Sequence, residues 1–387
     1  MTDVLLIDPS LFTPAYDSYL VAGIKRSGCR VDWLGSNDIW GMLKGYPEQP
    51  REYFYRATNK LFKTSRSPFR QGFKLAEHAN GMSGLSSYAR KEKAQILHFQ
   101  WSAVPEIDHY YWSFYKKQGY RLIYTVHNLL PHKRGSNDHK KYLRLYSLAD
   151  KLIVHCPETK QGLINDFGIG ADKIETIAMP ALPIPATGGP TGAGIKQQLG
   201  LASNRIALCF GFIEEYKGFD LAIAALASAV DKIPRDVVLV IAGRDDAGWA
   251  GRLNDLIREK KLQKRVVLKL GFMDQGYLKA LIEASGVCLF PYRKISQSGA
   301  LLTAMAEGRA VAGFDVGGIS EVIENGKNGI VVPAGDYRAL GQALVQMFED
   351  PGTCRTMGRA SLELVANKYS FITAGQATHK VYRSLFT

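Results

Sequence analysis

No stretch of the chain approaches the roughly 18 apolar residues that a membrane-spanning helix needs. Cysteine is scarce as well: Cys29, Cys156, Cys209, Cys288 and Cys354 are scattered, and none stands in a CxxC pair. Disulfides and a zinc site are therefore not expected, and reduced thiols are. The first ten residues, MTDVLLIDPS, carry an acid where a secretory signal needs cations, and they run straight into a strand pattern. A cytoplasmic location is expected. The loop after that first strand lacks GxGxxG, which counts against a nicotinamide or flavin dinucleotide there. Acids are outnumbered, 36 against 49 basic residues, leaving a net charge of +13. Such a balance calls for an anionic partner: nucleic acid, a phosphorylated substrate or an acidic membrane surface. No RNA-binding motif accompanies it, so nucleic acid is not expected.

What is present is a long alternation of buried strands and amphipathic helices. A chain of 387 residues with 46% hydrophobic content suits two domains. Strand patterns at Val4–Ile7, Val31–Leu34, Ile96–Trp101, Leu122–Val126, Leu152–His155 and Ile174–Ala178 form one series. After the Pro- and Gly-rich linker Met179–Gly194 come Ile206–Phe210, Val237–Ala242, Val266–Leu270, Val287–Phe290, Ala310–Phe314 and Ile330–Val332. The expectation is an α/β protein of two Rossmann-like domains facing each other across a cleft, 1–180 and 181–371. A last helix, 372–387, is expected to pack back on the first domain.

The most informative stretch is Gly286–Glu321. A buried strand ends at Pro291, a cationic loop with Arg293, Lys294, Gln297 and Ser298 follows, and a helix starts at Gly299. Unpaired amides at that helix start, approachable because Gly299 has no side chain, make a seat for phosphate. In the first domain, ligands should collect at the C-terminal strand ends, which places Gln100, Trp101, His127 and Asn128 in one crevice.

The pattern breaks between about 40 and 95. From Arg51 to Leu75 there are seven basic residues (Arg51, Arg56, Lys60, Lys63, Arg66, Arg70, Lys74) against one acid, Glu52. Tyr53, Phe54, Tyr55, Phe62, Phe69 and Phe73 are interleaved with them. This reads as a segment lying on an anionic membrane with its rings among the headgroups, peripheral on the inner face of the cytoplasmic membrane. The competing reading is a solvated helical insertion whose aromatics pack on the domain.

In order and spacing, FGFIEEYKGFD, VVLVIAGRDD, VVLKLGFMD and LFPYRKISQSGALLTAMAEGRAVAGFDVGGISEVIENGKNGIVV resemble the C-terminal domain of family 4 glycosyltransferases of the GT-B fold. ILHFQW, RLIYTVHNLLPH and ADKLIVHCPE resemble that family's acceptor domain. The resemblance implies transfer of a sugar from a UDP- or GDP-sugar to a lipid-linked or saccharide acceptor, with retention, no metal and no cofactor. It implies Lys217 on the donor diphosphate, the amides of Gly299, Ala300 and Leu301 on the distal phosphate, and Phe272 beside the base. His127 would lie near the transferred sugar and Gly211 in the loop opposite. Arg244, Arg293, Gln297, Ser298 and Thr303 would complete the donor site. Ser10, Phe12, Tyr16, Gln100, Trp101, Asn128 and His132 would hold the acceptor. Three positions depart from the family: Ile295 and Thr303 stand where it has two glutamates, and Phe212 where it has an arginine. These departures keep a sugar-nucleotide epimerase and a non-catalytic partner subunit open as alternatives.

Overall fold

The computed structural model describes residues 3–62, 67–131, 135, 137–186, 188–350 and 352–386. The chain divides into two compact units, Met1–Pro180 with Ser370–Thr387, and Ala181–Tyr369. Each is built on one parallel sheet.

The first unit carries β1 (Val4–Asp8), β2 (Val31–Gly35), β3 (Arg51–Glu52), β4 (Ile96–Phe99), β5 (Arg121–Thr125), β6 (Lys151–Val154) and β7 (Ile174–Thr176). They lie in the order β3-β2-β1-β4-β5-β6-β7. Helices cover both faces, so β1, VLLID, is buried at every position and reads as a continuous apolar run rather than an alternating one. The third expected strand ends early, at Phe99. Gln100 and Trp101 leave the sheet, which frees their side chains for the loop.

The edge strand β3 is followed by helices Arg56–Phe62 and Pro68–Lys91. Phe54 and Tyr55 are core residues here, packed with Met82, Leu85 and Trp112. Those two rings are therefore not available to a headgroup region, because burial in the core outweighs any interfacial gain. Phe69 and Phe73 remain exposed.

The C-terminal helix Phe371–Arg383 lies on helix Pro14–Arg26. The two cross at Gly23 and Gly375, where a Cβ on either would overlap the other helix's backbone. Tyr382 then reaches the sheet and bonds His98 Nδ1 at 2.7 Å.

The second unit carries β8 (Arg205–Phe210), β9 (Val237–Gly243), β10 (Val266–Leu270), β11 (Ser285–Phe290), β12 (Ala310–Phe314) and β13 (Gly329–Val332), in the order β10-β9-β8-β11-β12-β13. The seven residues of β9 are buried throughout. Among the described residues no helix is long and apolar enough to cross a membrane.

Candidate functional site

In the second sheet the chain leaves β8, adds β9 and β10 on one side, and then sets β11 on the other. The loops after β8 and β11 part at this reversal, where a doubly wound sheet opens a crevice at its strand ends. Two turns meet there. The first, Glu215–Lys217, is closed by Gly218 at φ +65°. A side chain at Gly218 would overlap the Pro291 carbonyl, so this glycine lets the turn sit directly on the loop after β11. Arg293 ties the two together: its guanidinium donates to Glu215 O at 2.7 Å and to the Asp220 carboxylate at 2.9 and 2.6 Å. This arginine braces the turn, and Asp220 neutralises it.

The brace brings Lys217 against Tyr292. Lys217 is only 8% exposed, donates to the Tyr292 hydroxyl at 2.9 Å, and lies 4.4 Å over the Tyr292 ring and 5.3 Å over that of Tyr216. Burial depresses its pKa, and no described carboxylate forms an ion pair with it. Ser298 Oγ donates to the same Tyr292 hydroxyl at 3.2 Å and accepts from the Leu301 amide at 3.2 Å. Ser298 thereby caps helix Gly299–Ala306. A hydrogen-bonded chain thus joins a buried ammonium to the positive end of a helix, with the half-buried Gly299 and Ala300 amides beside it. Tyr292, fully buried, is the link that sequence reasoning missed. Its only signal is a position just past Pro291, inside a polar loop.

The other expected donor residues fall at the same strand ends with different roles. Gly211, at φ +119°, follows β8. Arg244 follows β9, pairs with Asp246 at 2.6 Å and lies 5.1 Å over the ring of Phe212. Phe272, after β10, is 79% exposed. Gln297 lies beside Gly318, in a loop held by a Gly318-to-Ser296 backbone bond of 2.9 Å. Thr303 donates its hydroxyl to Leu182 O at 3.2 Å, so it is engaged with the chain leading into this unit.

The first sheet repeats the logic: β1 and β4 are neighbours with the chain running away on either side. Trp101, after β4, donates from Nε1 to Thr13 Oγ1 at 3.0 Å and packs on Phe12 at 5.3 Å. His127, after β5, stacks on Trp101 at 4.9 Å and meets the edge of Tyr16 at 5.0 Å. Its Nε2 lies 3.1 Å from Gln100 Oε1. Gln100 Nε2 in turn faces His98 Nε2 at 3.2 Å, which also meets Thr125 Oγ1 at 2.8 Å. Assigning the Gln100 amide as donor to His98 makes His127 the Nε2–H tautomer. Burial lowers the pKa of His127 well below its usual value, helped by His155, and lowers that of His98 to about 3. Both rings are neutral at pH 7. Ser10 accepts from Lys74 Nζ at 3.1 Å. Asn128 is half-buried. His132 lies outside the described residues.

Under this crevice Asp8, at the end of β1, and Asp17, on helix Pro14–Arg26, are both fully buried. Asp8 accepts from the Thr13 amide at 3.2 Å. Burial raises both pKa values, that of Asp8 to about 6, and the charge of Asp8 raises that of Asp17 further. Two buried carboxyls that feel each other's charge favour the protonated form. Sequence reasoning missed this pair, because nine residues separate its members. Among the described residues no three of His, Cys, Asp and Glu gather as metal ligands would.

Residues 18–180 match Glycosyltransferase Family 4, and residues 204–350 match Glycosyl transferases group 1. An α-D-kanosaminyltransferase of Streptomyces kanamyceticus is 30% identical over 193 residues, 50% of this chain and 49% of that protein. A D-inositol 3-phosphate glycosyltransferase of Corynebacterium diphtheriae is 25% identical over 67% of this chain and 64% of its own. The chain thus spans about half to two thirds of these curated relatives. Among solved structures, Anabaena Alr3699/HepE in complex with UDP has a TM-score of 0.72 at 17% identity, covering 99% of this chain and 100% of that one. At that identity the likeness concerns the fold.

Proposed function

Since the chain belongs to the family 4-like glycosyltransferases of the GT-B fold, we propose that it moves a sugar from a UDP- or GDP-sugar to a hydroxyl of a lipid-linked or saccharide acceptor. The product would serve a surface polysaccharide or glycolipid made at the inner face of the cytoplasmic membrane. The observation that carries the reading is the chain from Lys217 through Tyr292 and Ser298 to the start of helix Gly299–Ala306.

The chemistry follows from charge. When the bond from the sugar's anomeric carbon to the diphosphate breaks, the leaving nucleoside diphosphate gains negative charge. Preorganised donors aimed at that charge stabilise the transition state without reorganising. Lys217 supplies an ammonium that burial has already stripped of water, and the Gly299 and Ala300 amides supply dipoles. This positive charge is of the kind a metal would otherwise bring, so the proposed reaction is metal-independent and uses no cofactor. Phe272 gives a base an exposed ring to stack on, and UDP in the similarly folded Alr3699/HepE supports a uridine donor. His127, neutral and held by Gln100 and Trp101, offers a hydrogen bond to a sugar hydroxyl. Retention at the anomeric carbon is proposed on the family likeness.

One observation favours a second reading. Ile295 brings no carboxylate and Thr303 is engaged with Leu182, as in a subunit that binds donor without transferring. A thermal-shift screen of UDP, GDP, ADP and their sugars tests both. A true donor at 100 times its dissociation constant stabilises by about 2.7 kcal/mol. Product with retained anomeric configuration by NMR supports transfer. Donor binding with neither hydrolysis nor transfer across an acceptor panel supports the partner subunit, and no nucleotide binding refutes both.

A further inference from the structure

The second unit carries a groove at the end of its sheet away from the donor loops. Arg205 and Ile206 open β8, Ser285 and Gly286 open β11, and Arg309 stands one residue before β12. Two cavities, of about 210 and 280 Å³, meet there and share Gly286, Cys354 and Arg355. The strands are parallel, so the loops that bear Gly211 and Tyr292 leave from their far ends. Six residues of β8 set that distance at roughly 20 Å. Small-molecule sites measure about 300–1,000 Å³, and the joined cavities fall in that range.

Packing explains why cations gather here. A Cβ on Gly358 would overlap the Gly308 carbonyl, so helix Thr353–Lys368 lies directly on the turn before β12. Arg355 and Arg359, one turn apart on that helix, thereby line the same cavity as Arg309. Like charges four residues apart on a helix repel. Lys196, on helix Gly192–Gln198, and Arg205 extend the cationic lining.

Little of this charge is neutralised. Arg205 pairs with Asp236 at 2.7 Å. Arg309 donates only to main-chain oxygens, of Glu307 at 3.0 Å, Glu283 at 3.2 Å and Ser285 at 3.1 Å. Those bonds fix its guanidinium without cancelling it. The one acid in the lining, Glu307, accepts from the Ile184 amide at 2.9 Å and pairs with Lys279. Asp350, which feels the charge of Arg355, spends its oxygens on the Gly352 amide and the Thr353 hydroxyl at 2.9 and 3.0 Å. No described carboxylate forms an ion pair with Lys196, Arg309, Arg355 or Arg359. A concave surface with several cations and no facing acid selects an anion that carries several charges close together. Phosphoryl oxygens fit best, since a guanidinium grips them through two parallel N–H bonds.

We propose that this groove binds a polyphosphate, free or as the tail of a nucleotide, at a site separate from the donor seat. The proposal goes beyond the transfer reaction and does not depend on it. Calorimetric titration of the full-length protein with inorganic tripolyphosphate, ATP and UDP tests it. Arg355 and Arg359 are exposed, so changing both to Gln should leave Tm within a few degrees. The double variant should weaken tripolyphosphate binding at least tenfold and leave UDP within twofold, while Lys217→Met should do the reverse. Saturating UDP should leave tripolyphosphate bound. With UDP saturating, ATP binding more tightly than tripolyphosphate assigns a nucleotide, whose base would lie on the half-exposed Leu362; equal affinity assigns the bare chain. Unchanged tripolyphosphate affinity in the double variant overturns the proposal, as does its full displacement by UDP, which puts the probe on the donor seat. Binding of phosphatidylglycerol vesicles or polyglutamate through the same arginines, with no tripolyphosphate bound, also overturns it. If UDP fails to bind but the double variant still releases tripolyphosphate, the donor reading fails and the groove stands.

Discussion

Lys217→Met separates a cation kept for a ligand from one kept for the fold. Methionine preserves most of the volume and removes the charge. The ammonium has one hydroxyl and two ring faces for company and, among the described residues, no ion-pair partner. Losing those contacts costs on the order of 1 kcal/mol each, while relieving a buried charge returns several. Tm should therefore hold or rise. The donor tells the other half. A hydrogen bond to a charged group contributes about 1.5–3 kcal/mol, so the variant should bind UDP or its sugar about 10- to 150-fold more weakly. At a ligand concentration that stabilises the wild type by about 2.7 kcal/mol, a variant weakened 100-fold gains only about 0.4 kcal/mol. The pH dependence has a defined sign. Burial lowers the folded pKa of Lys217 below its ordinary value of 10.5, so the unfolded chain binds more protons between those two values. Stability then rises with pH across that window, and Lys217→Met should lose that rise. Donor affinity should fall over the same range. Differential scanning fluorimetry with and without UDP reads all of this. A large drop in Tm with an unchanged UDP shift would refute the assignment and make Lys217 a structural residue.

Tyr292→Phe removes the hydroxyl on which Lys217 and Ser298 converge. A net hydrogen bond of about 0.5–1.5 kcal/mol predicts a donor affinity lowered by up to about tenfold, read by titration; an unchanged value would show that the linkage does not position Lys217. The Asp8–Asp17 pair holds protons that the unfolded chain has released above 3.8, up to about 6 for Asp8. Stability should fall as pH rises through that window, by about 3 kcal/mol for Asp8. Asp17→Asn should flatten the fall in urea midpoints, and parallel curves would contradict the coupling of the two carboxyls. Gly375→Ala puts a Cβ into the backbone of Gly23 and should cost about 1–3 kcal/mol, seen as a lower urea midpoint at unchanged slope. Sedimentation with anionic vesicles should drop about tenfold for Phe69→Ser, since burying such a ring contributes about 1.5–3 kcal/mol. Binding insensitive to both salt and anionic lipid would remove the membrane reading.

The parallel architecture was legible from residues alone, because strands covered on both faces must be apolar throughout, as in Val237–Gly243. The helix start at Gly299 was legible too, since a polar loop between a buried strand and an apolar helix is a local pattern. Ends of elements were less so: Gln100 and Trp101 continue an apolar run, yet they leave the sheet to reach His127 and Thr13.

What only the tertiary structure decided are the partnerships. Composition marked Arg70, Lys74 and Arg293 as equally basic, but Arg293 is neutralised by Asp220 from 73 residues away, while Arg70 and Lys74 form no ion pair among the described residues and line a pocket whose acid, Asp38, is bonded to the Met42 and Leu43 amides. Phe54 and Phe69 looked alike in sequence, and one is core while the other lies in solvent. The physical reason is range. Periodicity and turn chemistry act over a few neighbours, whereas the charge a side chain feels, and the water it keeps, depend on groups that only the folded chain brings near.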